Sequence, residues 1–248
     1  MPTRLEARDV SHRFGSVLAL DAVSVVVQAG TATAIVGESG SGKSTLLRAF
    51  NAMVVPERGM VSVGGVPVAD QDVIALRRRL GYVQQHGGLI PHWTVITNVA
   101  LVPRLLGRVD PAAISRALAL VGLDEATFGQ RLPHTLSGGQ AQRVALARAL
   151  VAAPEAILLD EPFGALDAIS RADVQEAFLT LRRAIGITTL LVTHDLGEAA
   201  RLSDRIVVMR GGRVEQEGTI GELRENPATP YVRRLTEQAA AAAAALTS

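Results

Sequence analysis

Hydrophobic positions near the start of the chain alternate with polar ones, as around Leu5, Ala7 and Val10, which is typical of β-strands buried on one side. Two longer β-rich runs follow, and they end at Gly30 and Gly37. The strands predicted in this first part of the chain cover residues 18–27, 31–36, 60–63 and 81–83. The beginning of the chain is therefore predicted to be rich in β-structure.

From residue 98 to about residue 149 the apolar positions are spaced by three and four, which predicts α-helices. A shorter helix with the same spacing is predicted to begin near Lys43. The apolar residues with this spacing are Leu46, Leu47 and Phe50 in the first helix, then Ile114, Leu118 and Val121, and later Val144, Ala147 and Leu150. The middle of the chain is therefore predicted to be a helical insertion.

Three nearly continuous apolar runs follow the insertion, at residues 156–159, 188–192 and 205–209. Such runs are typical of parallel strands that are buried on both faces. A helix predicted over residues 170–185 supplies the crossover that parallel strands require. The fold class is therefore predicted to be α/β, and the alanine run 239–245 is predicted to be a helical extension with nothing to bury.

The chain has 248 residues, with 25 Lys and Arg against 24 Asp and Glu, so its formal net charge is only +1. This balance excludes a polycationic protein that binds nucleic acid through a basic surplus. Outside the C-terminal alanines, no apolar run reaches the roughly 20 residues of a membrane-spanning helix. Charged residues interrupt the start of the chain, so no secretory signal is expected. Cysteine is absent, so no disulfides are expected either, and the predicted location is cytoplasmic.

A glycine-rich segment lies between the predicted strand 31–36 and the first helix, where a phosphate-binding loop belongs. Its glycines allow backbone N–H groups to face a polyphosphate, and the helix N-terminus adds partial positive charge. Lys43 is predicted to reach the β- and γ-phosphates and Ser44 to coordinate Mg²⁺. The alternative is a Gly/Ser turn before an ordinary helix. The predicted ATP-binding residues of this loop are Gly37, Glu38, Ser39, Gly40, Ser41, Gly42, Lys43, Ser44 and Thr45.

Two adjacent acids, Asp160 and Glu161, follow the apolar run 156–159. Ligands of open α/β sheets bind at the carboxyl ends of strands, where Asp160 can hold Mg²⁺ through water. Glu161 is the better candidate for the base that orients and polarises an attacking water. The competing interpretation is a charge pair at a helix N-terminus, and the phosphate loop nearby in the predicted sheet disfavours it.

Residues 136–140 read Leu-Ser-Gly-Gly-Gln and predict a second anion site. Ser137 can cap a helix with its hydroxyl, and the two glycines let phosphate oxygens approach the helix amides. A simple glycine turn is the alternative. At this point the sequence resembles the ATP-binding subunits of ABC transporters, whose signature it carries unchanged. The resemblance implies that Ser137, Gly138, Gly139 and Gln140 close over ATP held by the other subunit of a head-to-tail dimer.

Other residues match the family's pattern one at a time. The resemblance implies that Phe14 stacks on adenine, although a single phenylalanine is more often core, and that Asp167 belongs to a loop at the dimer interface. Gln85 falls at the glutamine that contacts Mg²⁺ and faces the permease, with Gln84 as a rival. His194 follows an apolar strand and matches the histidine that contacts the γ-phosphate. Structural roles are predicted for the other histidines, His12, His86, His92 and His134.

The resemblance covers residues 4–236 and implies a P-loop NTPase core with a mixed or parallel sheet, an antiparallel β subdomain and a helical signature subdomain. A single ATPase domain is expected over residues 1–238. Its nucleotide-binding core is predicted at 1–84 and 151–220, its helical subdomain at about 85–150, and an alanine-rich tail at 239–248. Residues 87–95 and 102–107 most resemble the importers of osmoprotectant quaternary amines such as glycine betaine, carnitine and choline. Trp93 suits packing on a permease helix and a local core equally well.

The resulting prediction is an ATPase that drives a membrane importer. Two ATP molecules are expected to lie between phosphate loop and signature, and Glu161 is expected to orient the attacking water. Mg²⁺ is expected to be held by Ser44, Gln85 and, through water, Asp160. Expected partners are a second copy or a paired ATPase subunit, integral-membrane permease subunits and indirectly a substrate-binding protein, with no nucleic acid. The expected location is peripheral, on the cytoplasmic face of the membrane.

Three alternatives accompany this prediction. The first is an ABC ATPase that drives another class of importer. The second is a non-transport ABC ATPase that acts on DNA or ribosomes, although the long insertions or paired cassettes of those proteins are absent from the sequence. The third is a P-loop kinase, which leaves the signature and His194 without a role.

Overall fold

A computed structural model describes residues 1–85 and 87–245 of the chain. His86 and residues 246–248, the end of the predicted alanine-rich tail, lie outside the described residues. The chain divides into two compact units. We call residues 3–73 and 188–245 the terminal unit, and residues 1–2 and 74–187 the central unit.

The elements are numbered along the chain. The strands are β1 (Leu5–Phe14), β2 (Val17–Val27), β3 (Ala32–Val36), β4 (Arg58–Val63), β5 (Val66–Pro67), β6 (Leu80–Val83), β7 (Ala156–Asp160), β8 (Thr188–Thr193), β9 (Arg205–Arg210) and β10 (Arg213–Gly218). The helices are α1 (Lys43–Phe50), α2 (Val73–Arg79), α3 (Val95–Val99), α4 (Leu101–Leu105), α5 (Pro111–Leu120), α6 (Glu125–Phe128), α7 (Gly138–Leu150), α8 (Ala168–Ile185), α9 (Leu196–Leu202), α10 (Ile220–Glu225) and α11 (Pro230–Ala245).

The terminal unit contains strands of two sheets. In the first sheet, β1 pairs antiparallel with β2 and with β4, and β4 pairs with β5. In the second, β3 lies between β8 and β9 and runs parallel to both, while β10 pairs antiparallel with β9. Every residue of β3 and of β8 is buried, as expected for strands that are covered on both faces. The predicted combination of parallel and antiparallel strands is confirmed.

Helix α1 begins at Lys43, as predicted, and it buries Leu46, Leu47 and Phe50. Its apolar side packs against the strands of the terminal unit, because these residues recur at helical spacing on one face. Helix α11 packs against α9 and α10, and it continues through the alanine run as far as Ala245. Residues 241–244 of that run are exposed, so the prediction of a helix with little to bury is confirmed there.

In the central unit, β6 and β7 are parallel, and the register pairs Leu80 with Ala156 and Val83 with Leu159. Helix α7 buries Val144, Ala147 and Leu150, the three residues whose spacing predicted it, and packs against α3, α5 and β6. The helical region begins at Val95 rather than at residue 98, and it is divided into separate helices α3 to α7. Helix α8 covers the helix predicted over residues 170–185 and ends at Ile185, and Gly186, which follows as its C-cap, has a left-handed φ of 60°.

Five elements of the terminal unit were not predicted: the two-residue strand β5, then β10, α9, α10 and most of α11. Strand β10 reads Arg-Val-Glu-Gln-Glu-Gly, so it lacks the apolar pattern from which strands are predicted. Among the described residues it is an edge strand paired with β9. Helices α9 and α10 have 7 and 6 residues, which is too short for a clear helical repeat. Among the described residues, no helix combines the length and the apolar character that crossing a bilayer requires.

Candidate nucleotide site

The glycine-rich loop lies between β3 and α1 in the terminal unit. Gly40 and Gly42 have φ values of 80° and 98°, which side chains rarely tolerate. A Cβ atom on Gly42 would collide with the carbonyl oxygen of Ala19, and one on Gly37 with that of Met209. Glycine is therefore required at these positions by the backbone path and by close packing, as a phosphate-binding loop demands.

Lys43 is buried, with only 6% of its surface exposed. Its ammonium group lies across the loop and donates to the carbonyl oxygens of Gly37 and Glu38, at 2.8 Å each. The Ser41 hydroxyl is also buried, and it has no hydrogen-bond partner among the described residues. A buried hydroxyl without a partner is unfavourable, and an incoming phosphate oxygen would satisfy it. The geometry of the loop therefore suits a polyphosphate.

His194 leaves the sheet beside this loop. Strands β3 and β8 are parallel and the register pairs Val36 with Thr193, so Gly37 and His194 follow neighbouring strand ends at one edge. The His194 side chain is exposed there. Phe14, at the end of β1, is 54% exposed, and its ring meets that of His12 edge to face at 4.6 Å. An exposed aromatic surface of this kind is available for stacking.

Gln85 and Glu161 come together in the central unit. Because β6 and β7 are parallel and Val83 pairs with Leu159, both side chains follow strand ends at the same edge. The Gln85 amide donates to a Glu161 carboxylate oxygen at 3.2 Å. Glu161 has a φ of 48°, a strained conformation for a residue other than glycine and one that is concentrated at functional sites. Asp160, directly before it, is fully buried at the end of β7.

The contacts distinguish Gln85 from its rival Gln84. Gln85 reaches Glu161, whereas the side chain of Gln84 lies against Gly88, where a Cβ atom on that glycine would meet its amide group. This arrangement favours Gln85 for the predicted role. Trp93 is half-buried and meets His92 edge to face, with ring centroids 6.2 Å apart, so both interpretations of Trp93 stay open.

The signature segment forms the N-terminus of α7. The Ser137 hydroxyl accepts from the Gln140 backbone N–H at 3.2 Å, and the Gln140 side chain accepts from the Ser137 N–H at 3.0 Å. The predicted N-cap is confirmed as a reciprocal capping box, in which Gln140 is the second partner. Gly138 faces open space, while Gly139 lies against Leu166. The helix N-terminus therefore presents free space above its first glycine, where an anion would be favoured.

Asp167 caps the neighbouring helix α8. Its carboxylate accepts from the Ser170 backbone N–H at 3.0 Å. The pKa of Asp167 is lowered from its usual value, mainly by the hydrogen bond from the Ser170 side chain and then by backbone N–H groups. The carboxylate is thus held in its charged form next to the segment that contacts Gly139.

Sequence reasoning missed one residue that organises the Gln85 loop. The Arg148 guanidinium on α7 donates to the carbonyl oxygens of Gly87 and Gly88, at 2.7 and 2.8 Å. Burial lowers the pKa of Arg148 from its usual value. Both glycines have positive φ values, 71° and 58°. The signal for this loop in the sequence was the pair of consecutive glycines. Arg148 therefore ties the segment after Gln85 to the signature helix.

A protein-family model described as ABC transporter matches residues 20–164, from the second strand through the segment that carries Glu161. The chain belongs to the ABC transporter family. Among curated relatives of this ABC protein, the glycine betaine uptake system ATP-binding protein YehX of Escherichia coli (strain K12) is 42% identical over 234 residues, covering 93% of this chain and 75% of YehX.

Other curated relatives and a solved structure are similar to this chain over most of its length. The glycine betaine/carnitine/choline transport ATP-binding protein OpuCA of Bacillus subtilis (strain 168) is 41% identical over 88% of this chain, which spans 58% of that relative. Relatives named for sulfate/thiosulfate and Fe(3+) import match at comparable identity. The dimeric structure of MJ0796, a bacterial ABC transporter cassette, superposes with a TM-score of 0.79 at 32% identity, covering 87% of this chain and 98% of that one.

These comparisons confirm the predicted family, the α/β fold class and the ATPase class, and also the resemblance to ATP-binding subunits of quaternary-amine importers. A second MJ0796 structure is described as a post-hydrolysis state bound to ADP and Pi. The roles of individual site residues and the predicted domain boundaries stay predictions for this ABC protein.

Proposed function

We propose that this ABC ATPase powers a membrane importer of osmoprotectant quaternary amines, of the glycine betaine, carnitine and choline type. The names of YehX and OpuCA support the substrate class. The proposed partners are a second copy or a paired ATPase subunit, permease subunits in the membrane and, through them, a substrate-binding protein. The chain would then lie at the cytoplasmic face of the membrane, held there by the permease.

The contact between Gln85 and Glu161 carries the proposed chemistry. It brings a carboxylate to a strand end, the position at which open α/β sheets hold ligands, and fixes one of its oxygens with an amide donor. A carboxylate held in this way can orient an attacking water and accept its proton as the bond to the γ-phosphate forms. Glu161 is therefore assigned as the base, and Gln85 as the residue that orients it.

The phosphate loop supplies positioning and positive charge. Lys43 is the only lysine in the sequence, and its ammonium group is held within the loop by the carbonyls of Gly37 and Glu38. Phosphoryl transfer requires little beyond alignment and neutralisation of charge, which amides and one cation provide. His194, at the neighbouring strand end, is proposed to donate to the γ-phosphate, and Phe14, which is exposed, to stack on the adenine.

Ser44, Gln85 and Asp160 are proposed to hold Mg²⁺, which would neutralise charge on the β- and γ-phosphates when bound. Their hydroxyl, amide carbonyl and carboxylate oxygens are the hard ligands that this ion prefers. The Gln85 amide uses its nitrogen to donate to Glu161, and its carbonyl end is the one that suits a cation. Asp160 is fully buried at a strand end, where water would bridge it to the ion.

The signature supports a composite site made by two ATPase subunits. The capping box fixes the first turn of α7, and the open space at Gly138 allows a phosphate group to approach the helix amides. A second ATP-binding cassette would supply that phosphate, and the signature of each subunit would close over the nucleotide of the other. The alternative proposal is another importer class, since the named sulfate and iron importers match at similar identity.

The substrate class can be tested by uptake measurements in a host that lacks the gene for this chain and all other quaternary-amine importers. Restoring the wild-type gene is expected to restore uptake of labelled glycine betaine, choline or carnitine at raised osmolarity, whereas a Glu161→Gln gene is not. Labelled sulfate and ferric iron serve as matched controls in the same cells. Uptake of sulfate or iron that depends on the gene, without any effect on the amines, would contradict the proposed substrate class.

A further inference from the structure

The outer side of the phosphate loop is in contact with the C-terminal part of the terminal unit. The backbone N–H of Glu38, the second residue of the loop, donates to the hydroxyl of Tyr231 on α11 at 3.1 Å. The backbone N–H of Gly212, in the turn between β9 and β10, donates to the carbonyl of Ser41 at 3.2 Å. The loop is therefore supported from outside by two segments that follow β9 in the sequence.

Arg210 joins the same two residues. Its guanidinium carbon lies 5.0 Å from the centroid of the Tyr231 ring, and its Nε lies 3.5 Å from a carboxylate oxygen of Glu38. Glu38 places an acidic group in a loop that is proposed to bind a polyphosphate, and the adjacent cation offsets that charge. Since both side chains are about half exposed, the ion pair itself contributes little. Because Arg210 contacts both Tyr231 and Glu38, it helps to fix their positions relative to each other.

The direction of the Glu38 N–H is the decisive observation. Sequence reasoning assigned the amides of this loop to phosphate, but this N–H points to the Tyr231 hydroxyl instead. The first turn of the loop is thereby fixed by a residue far away in the sequence. A loop held in one shape loses less conformational freedom when a ligand binds, so its affinity is higher.

We propose that Tyr231 is a positioning residue of the phosphate loop, through which helix α11 and ATP binding stabilise each other. The proposal rests on the proposed role of the loop in holding ATP. Coupling between two binding events or conformations is reciprocal. If the tyrosine helps the loop to bind ATP, ATP bound in the loop must stabilise the attachment of α11 by the same factor. Helix α11 is then a structural element through which partners of the C-terminal segment can change the affinity for ATP.

Tyr231→Phe is the most direct test, because it removes the hydroxyl and keeps the ring beside Arg210. Losing one hydrogen bond is expected to weaken binding of a non-hydrolysable MgATP analogue about 2- to 10-fold by calorimetry. The KM for ATP should rise by a similar factor, while kcat at saturating ATP stays within about 2-fold of wild type. A purely structural role would lower the melting temperature without this division between KM and kcat.

Thr236→Val is the matched control. It also removes a hydroxyl from α11, one that is buried and donates to the Arg233 carbonyl at 2.8 Å within the same helix. It does not involve the loop, so the affinity for the ATP analogue is expected to equal that of wild type. Any difference between the two variants therefore reports on the contact with Glu38.

Hydrogen exchange supplies a second measurement. The Glu38 amide is expected to be protected in wild type and to exchange faster in Tyr231→Phe. Adding the ATP analogue should slow exchange in α11 of the wild type and slow it less in the variant. Unchanged affinity in Tyr231→Phe together with unchanged protection of α11 would overturn the proposal. If Lys43→Ala also leaves the affinity unchanged, the loop does not bind ATP, which is a separate failure of the proposed function.

Discussion

Replacing Glu161 with glutamine is expected to slow ATP hydrolysis about 10²- to 10⁴-fold, or about 3–5 kcal/mol of barrier, while ATP binding is retained. Glutamine has nearly the same shape and can keep a contact with Gln85, but it cannot accept a proton from water. The proposed role of Glu161 as the base rests on its strained φ of 48° and on its position directly after β7, at the carboxyl end of a strand. Loss of the base should therefore leave ATP bound and unhydrolysed.

The measurement is steady-state phosphate release at saturating MgATP, combined with size-exclusion chromatography to detect a dimer trapped by ATP. Glu155→Gln is the matched control, because it makes the same chemical change in the same unit. Glu155 lies outside the site and pairs with Arg79 through two 2.8 Å hydrogen bonds. Its hydrolysis rate should equal that of wild type. Turnover at the wild-type rate in Glu161→Gln would remove Glu161 as the base.

Replacing Lys43 with alanine is expected to weaken ATP binding itself, by about 10- to 100-fold, because charge-assisted hydrogen bonds to the phosphates are lost. The buried ammonium is held by the loop carbonyls of Gly37 and Glu38, so it is already oriented before a phosphate arrives. Removing it also takes the ammonium donor away from both carbonyls, although that of Glu38 still accepts from the Ser41 N–H at 3.2 Å. Hydrolysis should fall in the same variant because little nucleotide is bound.

Calorimetry with a non-hydrolysable ATP analogue measures this effect, and Arg224→Ala controls for the loss of one exposed cation in the same unit. Since Lys43 is the only lysine in the sequence, amine-specific labelling modifies only this side chain and the N-terminus. ATP is expected to protect Lys43 from the reagent in wild type. An unchanged affinity in Lys43→Ala, or labelling that ATP does not affect, would be inconsistent with the proposed loop site.

Local sequence patterns were enough to predict the local structure of the segments that carry the candidate site residues. The glycines around Lys43, the two acids at the end of β7 and the Ser137 cap each have a characteristic residue type at a fixed offset from a strand or helix end. The buried strands were also predictable, because strands covered on both faces are apolar at nearly every position.

The contacts that hold the site together could not be predicted in this way. The Glu38 to Tyr231 bond joins residues 193 positions apart, and the Arg148 contact with Gly87 joins residues 61 apart. Gln85 and Glu161 were each singled out, but their bond across 76 positions follows only from the parallel pairing of β6 and β7. Strand β10 was missed for a related reason, since its polar residues are stabilised by pairing with β9 and not by burial.

We propose that a phosphate loop on one subunit and a signature on another together form each ATP site. Ser137→Arg disrupts the cap of α7 and places a long side chain where the phosphate would approach, while Lys43→Ala disables the loop. Each variant alone should be nearly inactive. In an equimolar mixture, a mixed dimer contains one site with an intact loop and an intact signature.

The most direct measurement is therefore the ATPase activity of this mixture, compared with each variant measured alone at the same total concentration. Head-to-tail pairing predicts that the mixture regains ATP-dependent dimer formation and a clear fraction of wild-type hydrolysis. A mixture that is no more active than its components and forms no dimer with ATP would contradict the composite site.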